Sequence, residues 1–242
     1  MTENVSGGRP DTLRLIILPA LISLGVTVLR LTGELKGWSQ EWFSTETGGV
    51  VPGGVSWIIG ITWLALPFGV YFALKLAAAG QGPRRTGKAV GYSLLGLLIA
   101  LGGLFLLVPH LPVGFPKILI FVWLFMAVGA IAPLLGWPAL FKTLLAYGLA
   151  SRIPVALVMF FAMRGNWGTH YDYMGMPPEF QMSLLPKYLW LAFFPQLIFW
   201  VAFTILTGSL VGSIAIGLRR AKRRRRLIVR IIGIIIRIVR II

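Results

Sequence analysis

Apolar positions in this chain fall into long, nearly unbroken runs and do not follow the spacing of a half-buried helix or strand. A helix rising 1.5 Å per residue needs about 20 apolar residues to cross a hydrocarbon core ~30 Å thick. Six runs suit that length, at approximately 12–32, 55–75, 89–108, 118–141, 143–163 and 188–218. The pattern predicts an all-α, polytopic membrane protein of about six transmembrane helices. A polar segment, 1–11, is expected to be a cytoplasmic leader, and the basic, isoleucine-rich segment 219–242 a membrane-surface tail.

The first run lies between Arg14 and Arg30 and continues into Leu31, Thr32 and Gly33, without the small-residue cleavage site of a signal peptide, so it is expected to be a retained span. Prolines punctuate the others. Pro19 kinks the first span, and Pro133 and Pro138 bend the fourth. Pro195 should divide the overlong last run into an interfacial turn and a span. Two small-residue pairs, Gly87 with Gly91 and Gly208 with Gly212, are spaced to let another helix approach closely.

Charge gives the plan a direction. Basic residues outnumber acidic ones 23 to 7, and ten of them lie from Arg219 onward, so the basicity belongs mostly to the tail. With six spans, Arg9, Arg14, Arg84, Arg85, Lys88, Lys142 and the 219–226 block share one side, which the positive-inside rule makes cytoplasmic. Glu34, Glu41, Glu46, Asp172, Glu179 and both histidines fall on the other. The expected location is the plasma (inner) membrane with both termini cytoplasmic, and the short loops suggest a bacterial protein.

The tail's arginines, at 219, 223, 226, 230, 237 and 240, recur at steps of three and four, or seven across Gly233, and form one helical stripe. From 227 to 242 a helix measures only ~24 Å, too short to cross, so an amphipathic helix in the interface is expected. The expected partners are therefore the lipid bilayer and its anionic lipids, met by Arg84, Arg85, Lys88, Lys142, Arg219, Arg220 and Arg223. Other membrane subunits or self-association are expected on the small-residue faces. Nucleic acid is not expected, because the basic block directly follows a span and faces lipid.

Chemistry is sparse. The chain has no cysteine, which excludes disulfides and thiolate sites. It has no Walker loop, Rossmann fingerprint, zincin motif or G-x-S-x-G. The spans as drawn contain no Asp, Glu or His, which removes membrane proton relays and bis-histidine haem ligation, and no cofactor is expected. Arg152, in SRIP, is the one charge well inside a span. Such an arginine costs ~2.5 to 3.5 kcal/mol even on the permissive insertion scale. It is expected to snorkel toward the headgroups near Lys142 or to face a polar pocket in the bundle; the sharper alternative is a socket for an anionic headgroup or substrate.

The loop RGNWGTHYDYMGMPPEF carries His170, Asp172 and Glu179, which together with His110 are of the type that ligates a divalent metal. Their spacing is not that of a metal site, and none is expected. Instead the loop should be a lid held by its aromatics and by Asp172 or Glu179 pairing with Arg164, Lys187 or His170. A His170–Asp172 base lacks an accompanying nucleophile motif. The resulting expectation is a non-catalytic scaffold or accessory subunit of a membrane assembly. The alternative is a transporter or channel for a small, anionic or lipidic solute, and a third is an outer-face enzyme using the His170/Asp172 loop.

Overall fold

A computed structural model of the chain describes residues 12–45, 58–114, 116–172 and 182–239, with side chains as far as Arg226. The described residues form helices and short turns, with no strand. In chain order these are α1 (Thr12–Leu35), α2 (Thr62–Ala78), α3 (Thr86–His110), α4 (Ile118–Gly136), α5 (Pro138–Gly165) and α6 (Leu184–Arg226), whose winding continues to Val239. Five of them are long and apolar enough to cross a membrane, and α2 is a shorter apolar helix. The chain is an all-helical, polytopic membrane protein.

Several boundaries differ from the apolar runs, each for a local reason. α1 continues past Thr32 to Leu35, which adds Glu34 to the helix and gives a span an acidic residue after all. The junction of α4 and α5 lies at Trp137, five residues before Lys142. A residue preceding proline is pushed out of the helical region, and Trp137 accordingly leaves it, at φ −151° and ψ 82°, while Pro138 opens α5 at its first position. The Trp137 ring is buried, and its indole N–H donates to the Gln81 carbonyl at 2.7 Å, tying this junction to the turn between α2 and α3.

Pro195 does not divide the last run. α6 passes through it by widening into π turns at Leu189–Phe193 and Pro195–Trp200, a winding that accommodates a missing backbone donor without ending the helix. No break separates body from tail either: the helix is continuous through 219. The tail's helical winding matches its arginine spacing, while its side chains beyond Arg226 lie outside the described residues.

α6 is the central helix, packed against α2, α3, α4 and α5; α1 lies on α5, and α3 pairs with α4. Glycine sets the distance between α2 and α6. A Cβ on Gly69 would lie 2.5 Å from the Cα of Gly208, and one on Gly212 would lie 2.7 Å from the Gly69 carbonyl. The Gly208/Gly212 pair is therefore used within the chain. Gly87 and Gly91 have nothing within 4 Å of where a Cβ would stand. Beside the α2–α6 contact, Phe72, Leu140, Leu144, Tyr147 and Leu206 form a tightly packed centre. The Tyr147 hydroxyl meets Ser23 Oγ at 2.8 Å, joining α5 to α1. Large apolar side chains such as Leu98, Phe105 and Leu106 face outward, as expected where the surroundings are acyl chains.

Candidate functional site

The bundle has a basic end, with Arg84, Arg85, Lys88, Lys142 and Arg219, and an opposite, acidic end, which holds the described acidic residues Glu34, Glu41 and Asp172 and where Arg30, Lys36, Arg164 and Lys187 also lie. The loop that follows α5 is shaped by two residues that tolerate positive φ. Asn166 caps α5 at φ 48° and Gly168 turns the chain at φ 71°. The reversal leads into the turn His170–Asp172. Asp172 closes it by accepting the Gly168 N–H on Oδ2 at 2.7 Å, so the expected pairing of Asp172 with Arg164, Lys187 or His170 is not what holds the loop. Glu179 lies outside the described residues.

The loop docks instead on α1. The His170 backbone N–H donates to Glu34 Oε2 at 3.0 Å, and its ring Nδ1 lies 2.6 Å from Oε1. One helical turn back, Arg30 Nε donates to the same Oε1 at 2.9 Å. Glu34 is thus a buried carboxylate held by a guanidinium, a backbone amide and an imidazole, an arrangement in which a buried charge is both paired and hydrogen-bonded. Burial pulls the His170 pKa below that of ordinary imidazole, although the Glu34 carboxylate opposes the shift. A neutral ring donating from Nδ1 satisfies this geometry. Burial also raises the Tyr171 pKa, so its phenol stays protonated.

Arg152 lies near the middle of α5, about 20 Å from either end. It does not snorkel. The side chain turns into the bundle, is only 4% exposed, and stacks 5.0 Å from the centre of the Trp200 ring. Its polar contacts are long: Nη1 donates to Gln196 Oε1 at 3.4 Å and Nη2 to Thr62 Oγ1 at 3.3 Å. Nε has no hydrogen-bond partner among the described residues. Pro154 remains within an unbroken α5.

Arg152 lines a cavity of about 540 Å³ at the acidic end. Arg30, His170 and Tyr171 also line it, together with Val155, Met159 and Phe203. The two most exposed lining residues, Trp63 and Leu66 on α2, mark where it reaches the surface. The volume is within the ~300 to 1,000 Å³ of small-molecule pockets.

At the basic end, Arg84 and Arg85 from the turn before α3, Lys88 from the start of α3 and Lys142 from the start of α5 converge on one groove of about 1050 Å³ lined also by Trp137 and Pro138. Arg220 braces its neighbourhood, donating to Thr86 Oγ1 at 2.7 Å and to the Pro83 carbonyl at 3.1 Å. Arg219 and Arg223 are exposed on the emerging α6. His110 is exposed at the end of α3, whereas His170 is held by Glu34 on α1. Among the described residues no three His, Cys, Asp or Glu side chains are grouped to hold a metal.

Arg30, Glu34, Thr62, Gln196 and Trp200 are not conspicuous in the sequence. Arg30 and Glu34 carry a signal, a basic and an acidic residue one helical turn apart, hidden by ending the first span at Thr32. Thr62 and Gln196 carry none, because they meet Arg152 only through the fold. The chain matches no family model, no curated protein and no solved structure.

Proposed function

We propose that this protein takes up a small anionic or lipidic solute in the acidic-end cavity, as the binding step of a transporter. The observation that carries this reading is Arg152: a membrane-embedded guanidinium beside a cavity, met by no carboxylate among the described residues, with Nε unpartnered there as well. A cation left this way is costly in a bilayer, and an anion entering the cavity repays that cost. The positive-inside rule makes the basic end cytoplasmic, so the cavity faces the outer half of a bacterial inner membrane with both termini inside. The groove of Arg84, Arg85, Lys88 and Lys142 then lies among cytoplasmic headgroups, where anionic lipid is its partner. Along α5, between Thr143 of the groove and Arg152 of the cavity, Leu144 and Tyr147 are buried in the core.

A second reading, an accessory subunit, rests on Gly87 and Gly91, whose open small-residue face on α3 suits a neighbouring helix. One preparation distinguishes the two. Protein purified in mild detergent is extracted and its bound small molecules are identified by mass spectrometry. The transporter reading expects an anionic molecule bound to the wild type and lost from Arg152→Gln. The same molecules in both preparations, or a stoichiometric partner protein with no bound anion, would favour the accessory subunit.

A further inference from the structure

The charge balance and shape of the cavity narrow its ligand. We infer that the acidic-end cavity accepts a singly charged amphiphile, with a carboxylate head on Arg152 and an apolar tail leaving past Trp63 and Leu66; this rests on the binding reading above.

The charge follows from the lining. Three groups able to carry positive charge face the cavity: Arg30, Arg152 and His170. Glu34 neutralises Arg30 and accepts from His170, whose ring is neutral near pH 7. One positive charge remains, that of Arg152, and it is matched by a monoanion. A dianionic head would bring a second charge into a low-dielectric site with nothing to meet it.

The head follows from the guanidinium. Nε and Nη2 form one edge of its planar fork; among the described residues Nε has no partner, and Nη2 spends only the long 3.3 Å bond on Thr62. Two parallel donors on such an edge match the two oxygens of a carboxylate. Trp200 lies against the guanidinium and steadies its plane.

The tail follows from the walls and the mouth. Val155, Met159 and Phe203 offer no polar atom beyond the Met159 sulfur, which already accepts from Gln196 Nε2 at 3.4 Å. At the mouth, Trp63 donates its indole N–H to the Ile58 carbonyl at 2.8 Å, which leaves its ring and the Leu66 side chain as an apolar sill. An acyl chain can pass over that sill into the bilayer without exposing a polar group.

The test is equilibrium binding of radiolabelled dodecanoate to the full-length protein in nanodiscs of neutral phosphatidylcholine. The competitors are dodecanol, acetate and, at about pH 8 where a phosphate monoester carries two charges, dodecyl phosphate. Dodecanoate should bind saturably, and each competitor should be at least about tenfold weaker. Arg152→Gln should abolish binding, and Arg152→Lys, which keeps the charge and loses the fork, should weaken it; both are checked for an unchanged melting profile. Met159→Trp, which fills the apolar wall, should displace dodecanoate while Arg152 is intact.

If dodecyl phosphate or dodecanol competes as well as dodecanoate while binding still depends on Arg152, the carboxylate assignment fails and the binding reading stands. If acetate competes equally, the amphiphile is wrong and the ligand is a small soluble anion. If no compound binds saturably, both the inference and the reading beneath it fail.

Discussion

Two arginines of this protein sit in the same cavity wall with opposite energetic roles. Arg30 is paired to a buried carboxylate, so Arg30→Met leaves Glu34 with His170 alone; breaking such a contact should destabilise the protein by about 1 to 3 kcal/mol. Arg152 has no carboxylate among the described residues, and its placement costs ~2.5 to 3.5 kcal/mol by insertion measures. Arg152→Met should therefore leave the ligand-free protein as stable as the wild type or more so, read as an unchanged or raised melting temperature in detergent. A large loss of stability would mean that Arg152 is a structural strut. His170 adds a pH dependence. Its folded pKa lies below the ordinary imidazole value of 6.5, so at intermediate pH only the unfolded chain binds the proton. The contribution to stability is complete above that ordinary value and is lost as pH falls toward and through the folded one. The melting temperature should fall between about pH 7.5 and about pH 5.5, and His170→Gln, which keeps a donor for Glu34 and does not titrate, should flatten the slope. An identical slope in the variant would place the titration elsewhere.

Among the elements, α2 and α6 meet at a contact that leaves no room for adjustment, as do α3 and α4 where Gly96 faces Gly129. Gly208→Leu would drive a side chain into Leu144 and the Ala65 carbonyl, and should cost about 1 to 3 kcal/mol or prevent assembly. Gly91→Leu enters open space within a helix and should not destabilise the isolated protein by more than about 0.5 kcal/mol. Thermal melting of both variants checks the contrast, and comparable losses would contradict the packing. The sequence showed both glycine pairs equally; it could not show which one the chain uses, since that depends on Gly69 arriving from α2. Prolines were legible with mixed success. Pro138, expected to bend the fourth span, instead starts α5, because Trp137 has a buried place and a carbonyl to bond, whereas the π turns around Pro195 absorb the defect that would otherwise end α6.

At the scale of the whole molecule, apolar run length was enough to specify an all-helical membrane protein, because a bilayer leaves a spanning segment few alternatives. The candidate site was only half legible. Arg152 stood out as a charge in an apolar run, but its neighbours come from α2 and α6, and the closing of the loop on Glu34 depends on the last turn of α1. The resulting design is a cavity at one end of the bundle, a basic groove at the other, and the buried Leu144 and Tyr147 between them along α5. Its central claim is an outward-reached cavity governed by the charge of Arg152. Because the chain has no cysteine, Thr62→Cys places a single thiol where the hydroxyl now lies 3.3 Å from Arg152. The most direct measurement is the rate at which that thiol reacts with size-matched anionic and cationic membrane-impermeant reagents, in vesicles of each orientation. The account predicts labelling from the outer side, with the anionic reagent several-fold faster and the preference abolished by adding Arg152→Gln. Labelling from the cytoplasmic side alone, or a cationic reagent reacting as fast as the anionic one, would contradict it.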